Sequence, residues 1–285
     1  MKQFFLAAIA AVTVAVQAAG VRADEGWFAG VDLLYLAPKL SGAGFDNIFY
    51  HGSPVPQFGD GNVESELDFA QRVSLGYEGE QGGGVQVRWF TFDNTTGYVG
   101  VGRDGSGTVP IAGDLGIELD AFDAEFIQRG KFSVWDWVGT AGVRYAQYEI
   151  REQASDEFEW EDFDEAVWFG LAGTEFQGAG PTFSAMGSRP VFFEEMSFFG
   201  RVRTALLYGD IEQDNIYLIG GGPLEITDEF VQVWEFQAGA NFEFEFDAFD
   251  LVASIFWEAQ RWDSDSNLLG DLALHGFGTY VGVEY

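Results

Sequence analysis

The sequence predicts an all-β protein: a transmembrane, antiparallel, up-and-down β-barrel of about ten strands, with eight to twelve as the range. Three observations lead there. Segment after segment alternates apolar and polar side chains, the period-two pattern of a strand with unlike surroundings on its two faces. The connections between these segments alternate long and short, as they do in barrels whose turns lie on one side of a membrane and whose loops lie on the other. Beyond the first 23 residues no apolar run approaches the roughly 20 residues a membrane helix needs, yet Phe, Tyr and Trp make up 17% of the chain. Lipid-facing and interfacial positions would use those rings. An exported soluble barrel or sandwich is the competing fold, but it has no reason to sort its loops by length.

Residues 1–23 read as a cleaved secretory signal, leaving 24–285 as one barrel domain. Lys2 is the charged start, 4–19 is the apolar run, and Val21-Arg22-Ala23 places small residues where a signal peptidase checks. An N-terminal anchor is the alternative, against which the run is short.

The first mature strand is 27–38, with Phe28, Leu34 and Leu36 opposed to Trp27, Val31, Leu33 and Tyr35; Asp32 falls among the first set and spoils its alternation. Residues 40–66, rich in Gly, Asn, Asp and Pro, read as loop. Strand 67–77 sets Leu67, Phe69, Val73, Leu75 and Tyr77 against Asp68, Ala70, Arg72 and Ser74. A glycine-rich turn at 78–83 leads to its hairpin partner, 84–92, where Val85, Val87 and Trp89 oppose Gln86 and Arg88.

After a loop at 93–116, strand 117–128 alternates Phe122, Ala124 and Phe126 with Asp123 and Glu125. Strand 134–148 follows a short turn and sets Trp135, Trp137, Val143 and Tyr145 against Asp136, Thr140 and Arg144. An acidic loop at 150–164 precedes a weaker strand, 165–176, and a less regular connection, 177–193, holding Pro181 and Pro190.

Strand 194–208 opposes Phe198, Val202, Leu206 and Tyr208 to Arg201 and Arg203. Beyond the loop 209–229, strand 231–246 opposes Trp234, Phe236, Phe242 and Phe244 to Glu235, Gln237, Asn241 and Glu243. A two-residue turn, strand 249–258 and a loop at 259–271 lead to the closing strand, 272–285, which must seal against the first. An even strand count and this loop order put both termini on the periplasmic side.

Net charge is −32, from 46 acids and 14 bases, which excludes a nucleic-acid binder. The absence of cysteine excludes disulfides and thiolate metal sites. The polar faces, Asp68, Arg72, Arg88, Asp123, Glu125, Asp136, Arg144, Arg201, Arg203, Glu235, Asn241 and Glu243, form a lumen of mixed sign. Two readings of it stand. Arginines and carboxylates can bridge across a narrow barrel and plug it, or they can line a charged channel for small polar solutes or ions.

Catalysis has little to build on. His51 lies in a loop with Asp46 and Asp60 in the same segment, His275 lies on the apolar face of the last strand downstream of Asp271, and neither HExxH nor GxSxG occurs. The order Asp263, Asp265, Asn267 is that of a calcium loop, but Leu268 replaces the required glycine and no glutamate completes it. No cofactor is implied.

The segments GWFAGVDLLYLAPK, LDFAQRVSLGYEGEQGGGVQVRWFTF, VGTAGVRYAQYE and HGFGTYVGVEY resemble the pore-forming outer-membrane protein family typified by the Legionella major outer-membrane protein, with planctomycete-type relatives. The resemblance spans nearly the whole mature chain. It implies an outer-membrane barrel with a proposed pore activity and no catalytic residues. By likeness to outer-membrane barrels generally, Phe277 and the final Tyr285 would be the aromatics read by the barrel-assembly machinery. The expected surroundings are outer-membrane lipid, and the expected state is a monomer.

Overall fold

A computed structural model describes residues 26–41, 63–64, 66–104, 107–154, 172–214, 224–264 and 269–285. Ten long strands run through them: β1 (Gly26–Ser41), β2 (Asp68–Glu78), β3 (Gly83–Asp104), β4 (Gly107–Phe132), β5 (Trp135–Ala154), β6 (Ala172–Val191), β7 (Phe193–Asp214), β8 (Leu224–Glu245), β9 (Asp250–Ser264) and β10 (Asp271–Glu284). Each pairs antiparallel with the next, and β10 pairs with β1 along its length, from Phe28 opposite Glu284 to Ser41 opposite Asp271. The sheet is therefore a closed barrel with no free edge, which a backbone surrounded by lipid requires. A two-residue stub, Val63–Glu64, pairs with Leu40 and Lys39 at the end of β1.

The strands are longer than the sequence pattern predicts. The expected loop at 93–116 is almost all strand: β3 has 22 residues, β4 has 26, and they stay in register from Gly83 opposite Gln128 to Asp104 opposite Gly107. Strand likewise continues through 150–154, 209–214, 224–229 and 259–264.

The largest correction concerns 177–193. Instead of an irregular connection it is most of β6, which turns into β7 through Phe192 at φ 63°. Pro181 sits opposite Val143 of β5, but pairing toward β7 passes from Ala179–Tyr208 to Thr182–Ala205 with nothing between. The gap falls where proline has no N–H to give. The predicted strand at 165–176 is correspondingly displaced: β6 is described from Ala172, and 165–171 lie outside the described residues.

One feature of the registers explains why so much strand reads as loop. Across β3, β4 and β5 the inward rungs run Gln86–Glu125–Gly142, Arg88–Asp123–Arg144, Phe90–Ala121–Ala146, Phe92–Leu119–Tyr148 and Asn94–Ile117–Ile150. The outward rungs run Val85–Phe126–Ala141, Val87–Ala124–Val143, Trp89–Phe122–Tyr145, Thr91–Asp120–Gln147 and Asp93–Glu118–Glu149. Near the end that carries the termini the barrel is charged inside and apolar outside. Beyond Trp89, Phe122 and Tyr145 it is apolar inside and acidic outside. The backbone keeps its pleat; only the parity of the apolar residues changes.

β7 and β8 change over at the same height. Val202 and Leu206 face out where Arg203 faces in, whereas Leu207, Ile211, Val231 and Val233 are buried where Asp210, Glu212 and Gln232 are exposed. On β4 the exterior apolar band runs from Phe122 to Phe132. At ~3.3 Å per residue and ~40° tilt that is roughly 25 Å, the height of a lipid-facing band.

Candidate functional site in the barrel interior

Charged side chains from β1, β2, β3, β4, β5, β7, β8 and β9 meet in a belt across the lumen. Arg72 of β2 holds Glu258 of β9 bidentately, Nη2–Oε1 2.6 Å and Nη1–Oε2 3.2 Å, and donates to Asp32 of β1 at 3.2 Å. Arg144 of β5 holds its neighbour Asp123 through Nε at 2.6 Å and Nη2 at 2.9 Å, and reaches Glu235 of β8 at 2.6 Å. Arg203 of β7 contacts Glu125 and lies 3.4 Å from Asp123, both on β4. Arg88 of β3 lies 3.5 Å from Asp123 and 3.9 Å from Glu235. Most of these partners are not on adjacent strands, so the contacts can form only through the interior.

Two carboxylates act as hubs. Glu235 has Arg144, Arg203, Arg88 and Arg72 within 4.0 Å, and Asp123 has three of the same four. Amides fill remaining lone pairs: Gln237 and Gln260 donate to Glu258 at 2.6 and 2.7 Å, and Gln86 donates to Glu125 at 2.6 Å. A buried ion pair is tolerable only with this degree of satisfaction.

An apolar layer caps the belt on the side away from the termini. Leu34, Leu36, Leu119, Tyr148, Phe176, Leu207, Trp262 and Leu274 belong to one buried cluster and are at most 1% exposed. Arg72 lies 5.2 Å from the Phe90 ring and Arg144 5.9 Å from the Trp262 ring, so the two layers meet through cation–π contacts. Glycine makes the packing possible at Gly278, where a Cβ would come within 2.5 Å of Leu34 and 2.6 Å of Phe256.

On the other side of the belt, toward the termini, the lumen is polar and partly exposed. Thr140 and Ser184 share a 2.7 Å hydrogen bond, and Ser254 donates to Asn241 at 2.8 Å. At the mouth Arg129 pairs with Glu78 and Glu284, and Lys131 pairs with Asp136 at 3.2 Å.

Of the residues singled out from sequence, Arg72, Arg88, Asp123, Glu125, Arg144, Arg203 and Glu235 meet in the belt. Arg201 lies next to it, with no carboxylate partner among the described residues. Asp68 stands apart, accepting from Asn94 at 3.3 Å and from the Phe69 amide at 2.7 Å. Asn241, Glu243 and Asp136 lie toward the mouth, with Glu243 exposed. Phe277 is 65% exposed on the exterior, and Tyr285 packs on Phe249. His275 is exterior too, and Asp263 pairs with Arg261. His51, Asp46, Asp60, Asp265 and Asn267 lie outside the described residues.

Sequence reasoning missed Asp32 and Glu258. The first had left its signal as the carboxylate that spoils the alternation of β1, and it does so because it faces Arg72. The second shares parity with Ser254 and Phe256 but stands at the end of its predicted strand.

These features define a closed, membrane-spanning barrel with a filled interior. A family model, the Legionella pneumophila major outer membrane protein precursor, matches residues 22–268, and the chain belongs to that family of outer-membrane barrels. No curated protein matches it. Among solved structures, the outer membrane protease OmpT from Escherichia coli is 13% identical, with 91% of this chain and 96% of that one covered at a TM-score of 0.52. The translocator domain of the autotransporter NalP from Neisseria meningitidis is 11% identical over 96% and 92%, TM-score 0.37. The Pseudomonas putida toluene transporter TodX is 10% identical over 93% and 69%, TM-score 0.32. At these identities the likeness to OmpT speaks for the fold alone.

Proposed function

We propose that the protein is a sealed-lumen outer-membrane barrel with a structural or surface-interaction role, and not a conduit. The observation that carries this reading is the belt: four arginines and five carboxylates joined across the lumen, with the fully buried layer of Leu34, Leu36 and Trp262 above it. A solute crossing the barrel would have to separate buried, multiply hydrogen-bonded ion pairs and then part a close-packed apolar layer. The porin-like alternative draws support from the polar, partly exposed lumen on the termini side, which resembles a vestibule.

A catalytic role finds no support in the belt, whose five carboxylates are all engaged by arginines, and His275 lies on the exterior. The protease named among the structural neighbours therefore lends this chain only its shape. In keeping with this reading, residues 1–23 are the export signal, the termini and the mouth face the periplasm, the long hairpins stand outside the cell, and Phe277 and Tyr285 present the assembly signal. The barrel is a monomer in outer-membrane lipid.

The test is conductance. Folded protein in a planar bilayer is expected to give no channel events above the lipid background. Reproducible steps that scale with protein added would overturn the sealed reading in favour of the porin-like one.

A further inference from the structure

The ion pairing in the lumen leaves one arginine without a direct carboxylate partner, although five acids and five arginines balance in charge. Five carboxylates, Asp32, Asp123, Glu125, Glu235 and Glu258, are taken by Arg72, Arg88, Arg144 and Arg203. Arg201, two residues from Arg203 on β7, has no carboxylate within ion-pair distance among the described residues. Its guanidinium donates from Nη1 to Oε1 of Gln237 at 3.3 Å and from Nη2 to the sulfur of Met186 at 3.2 Å, a neutral acceptor and a weak one. Every other interior arginine of the described strands has a carboxylate. An arginine carries five N–H donors in a fork that matches a carboxylate or phosphate. A cation withdrawn from bulk water into a barrel and left with such partners is poorly compensated.

The surroundings of Arg201 suit a ligand better than a further side chain. It stands on the termini side of the belt, in the part of the lumen that is not packed shut, and is partly exposed, as are Thr140, Ser184 and Tyr280. Gly30 and Gly282, on β1 and β10, are the small positions against which the Tyr280 ring lies, which brings its hydroxyl to this side of the belt. Of the acids at the mouth, Glu78 and Glu284 pair with Arg129 and Asp136 pairs with Lys131. Glu195, Glu243, Glu245 and Asp250 are exposed at the same end and oppose an entering anion, an opposition that salt screens.

We propose that Arg201 anchors a binding site for a small, free oxyanion of the carboxylate or phosphate type, entering from the termini side and stopped by the belt. The oxyanion takes the guanidinium fork bidentately, displacing the contact to Met186, with neighbouring hydroxyls as further donors. This goes beyond the sealed reading and does not depend on it, since a conducting barrel could hold the same site.

The experiment uses the folded full chain in a lipid-free, non-ionic maltoside micelle, so that no lipid phosphate is present. Inorganic phosphate and, separately, acetate are titrated at a constant ionic strength of about 0.15 M held with chloride, and the unfolding midpoint is followed. At least one of the two is expected to raise the midpoint saturably. In Arg201→Met the apparent affinity is expected to be at least about tenfold weaker, the loss of one charge-assisted contact. A midpoint insensitive to both anions in the wild-type protein would overturn the proposal. So would an undiminished response in Arg201→Met. Should that variant not fold, line broadening of phosphate ³¹P and of acetate methyl ¹H with wild-type protein decides by itself: saturable broadening of either signal supports the site, and broadening of neither refutes it.

Discussion

At the scale of single residues, the belt depends most on Glu235. Its carboxylate lies among four guanidinium groups, and three of those, Arg144, Arg203 and Arg88, also share Asp123. Neutralising Glu235 therefore leaves several buried cations short of compensation at once. Breaking a buried pair from one side costs about 3–5 kcal/mol, because the remaining charge stays desolvated. Glu235→Gln is expected to destabilise the folded barrel by that order in guanidinium unfolding followed by tryptophan fluorescence. Glu243→Gln, on the same face of β8 but exposed at the mouth, is expected to change stability by no more than about 0.5 kcal/mol. Equal effects from the two would mean that the belt contributes nothing beyond ordinary surface charge.

At the scale of elements, β6 is the weak place in the wall. Pro181 faces outward in the apolar band opposite Val143, and the ladder toward β7 is interrupted beside it. Pro181→Val supplies the missing donor at a position where a β-branched, apolar side chain suits the exterior. It is expected to raise stability by about 1 kcal/mol, the net value of one hydrogen bond, with slower amide exchange at Leu206 and Leu207. An unchanged midpoint together with unchanged exchange would show that the gap is already satisfied.

The same strand marks the limit of what the sequence discloses. Strand count, closure and interior arginines were legible wherever one face stayed apolar over eight or more residues, as in β2, the first part of β3 and the second half of β4. What could not be read was strand across which the parity changes. In Thr91-Phe92-Asp93 the apolar residue has moved to the other face, so a fixed alternation template stops at Phe92 although β3 continues. β6 fails differently: its outward face is Ala179, Pro181, Phe183 and Ala185, too small and too proline-marked to show an apolar stripe. The belt was half legible. Arginines announced themselves on polar faces, whereas Asp32 looked like an error in β1 until its partner across the sheet was known.

At the scale of the whole molecule, the change of parity converts sequence into membrane depth. An acidic exterior belongs in water, and the registers make this demand severe: Asp93 stands opposite Glu118, Glu118 opposite Glu149, Glu149 opposite Glu175 and Glu175 opposite Glu212. Arg151 bridges Glu118 and Glu149, but directly opposed like charges in a sheet destabilise it unless solvent and salt screen them. A lipid boundary must therefore pass between this row and the ring of Trp89, Phe122 and Tyr145, where the indole N–H of Trp89 and the hydroxyl of Tyr145 suit an interface. The stretch of barrel beyond it stands in water and has the inside of a soluble protein. This sealed, apolar interior supports the hairpins, whereas the stretch within lipid is held by ion pairs. The chain has no cysteine, so single replacements report without background. Glu118 and Phe126 lie on the same outward face of β4, eight residues apart, which at ~3.3 Å per residue and ~40° tilt is about 20 Å of depth. In protein reconstituted into vesicles, Glu118→Cys is expected to react promptly with a water-soluble maleimide, and Phe126→Cys is expected to be protected until detergent is added. Equal reactivity at the two positions would place both in water and remove the boundary from between them. Protection of both would move it beyond the acidic row.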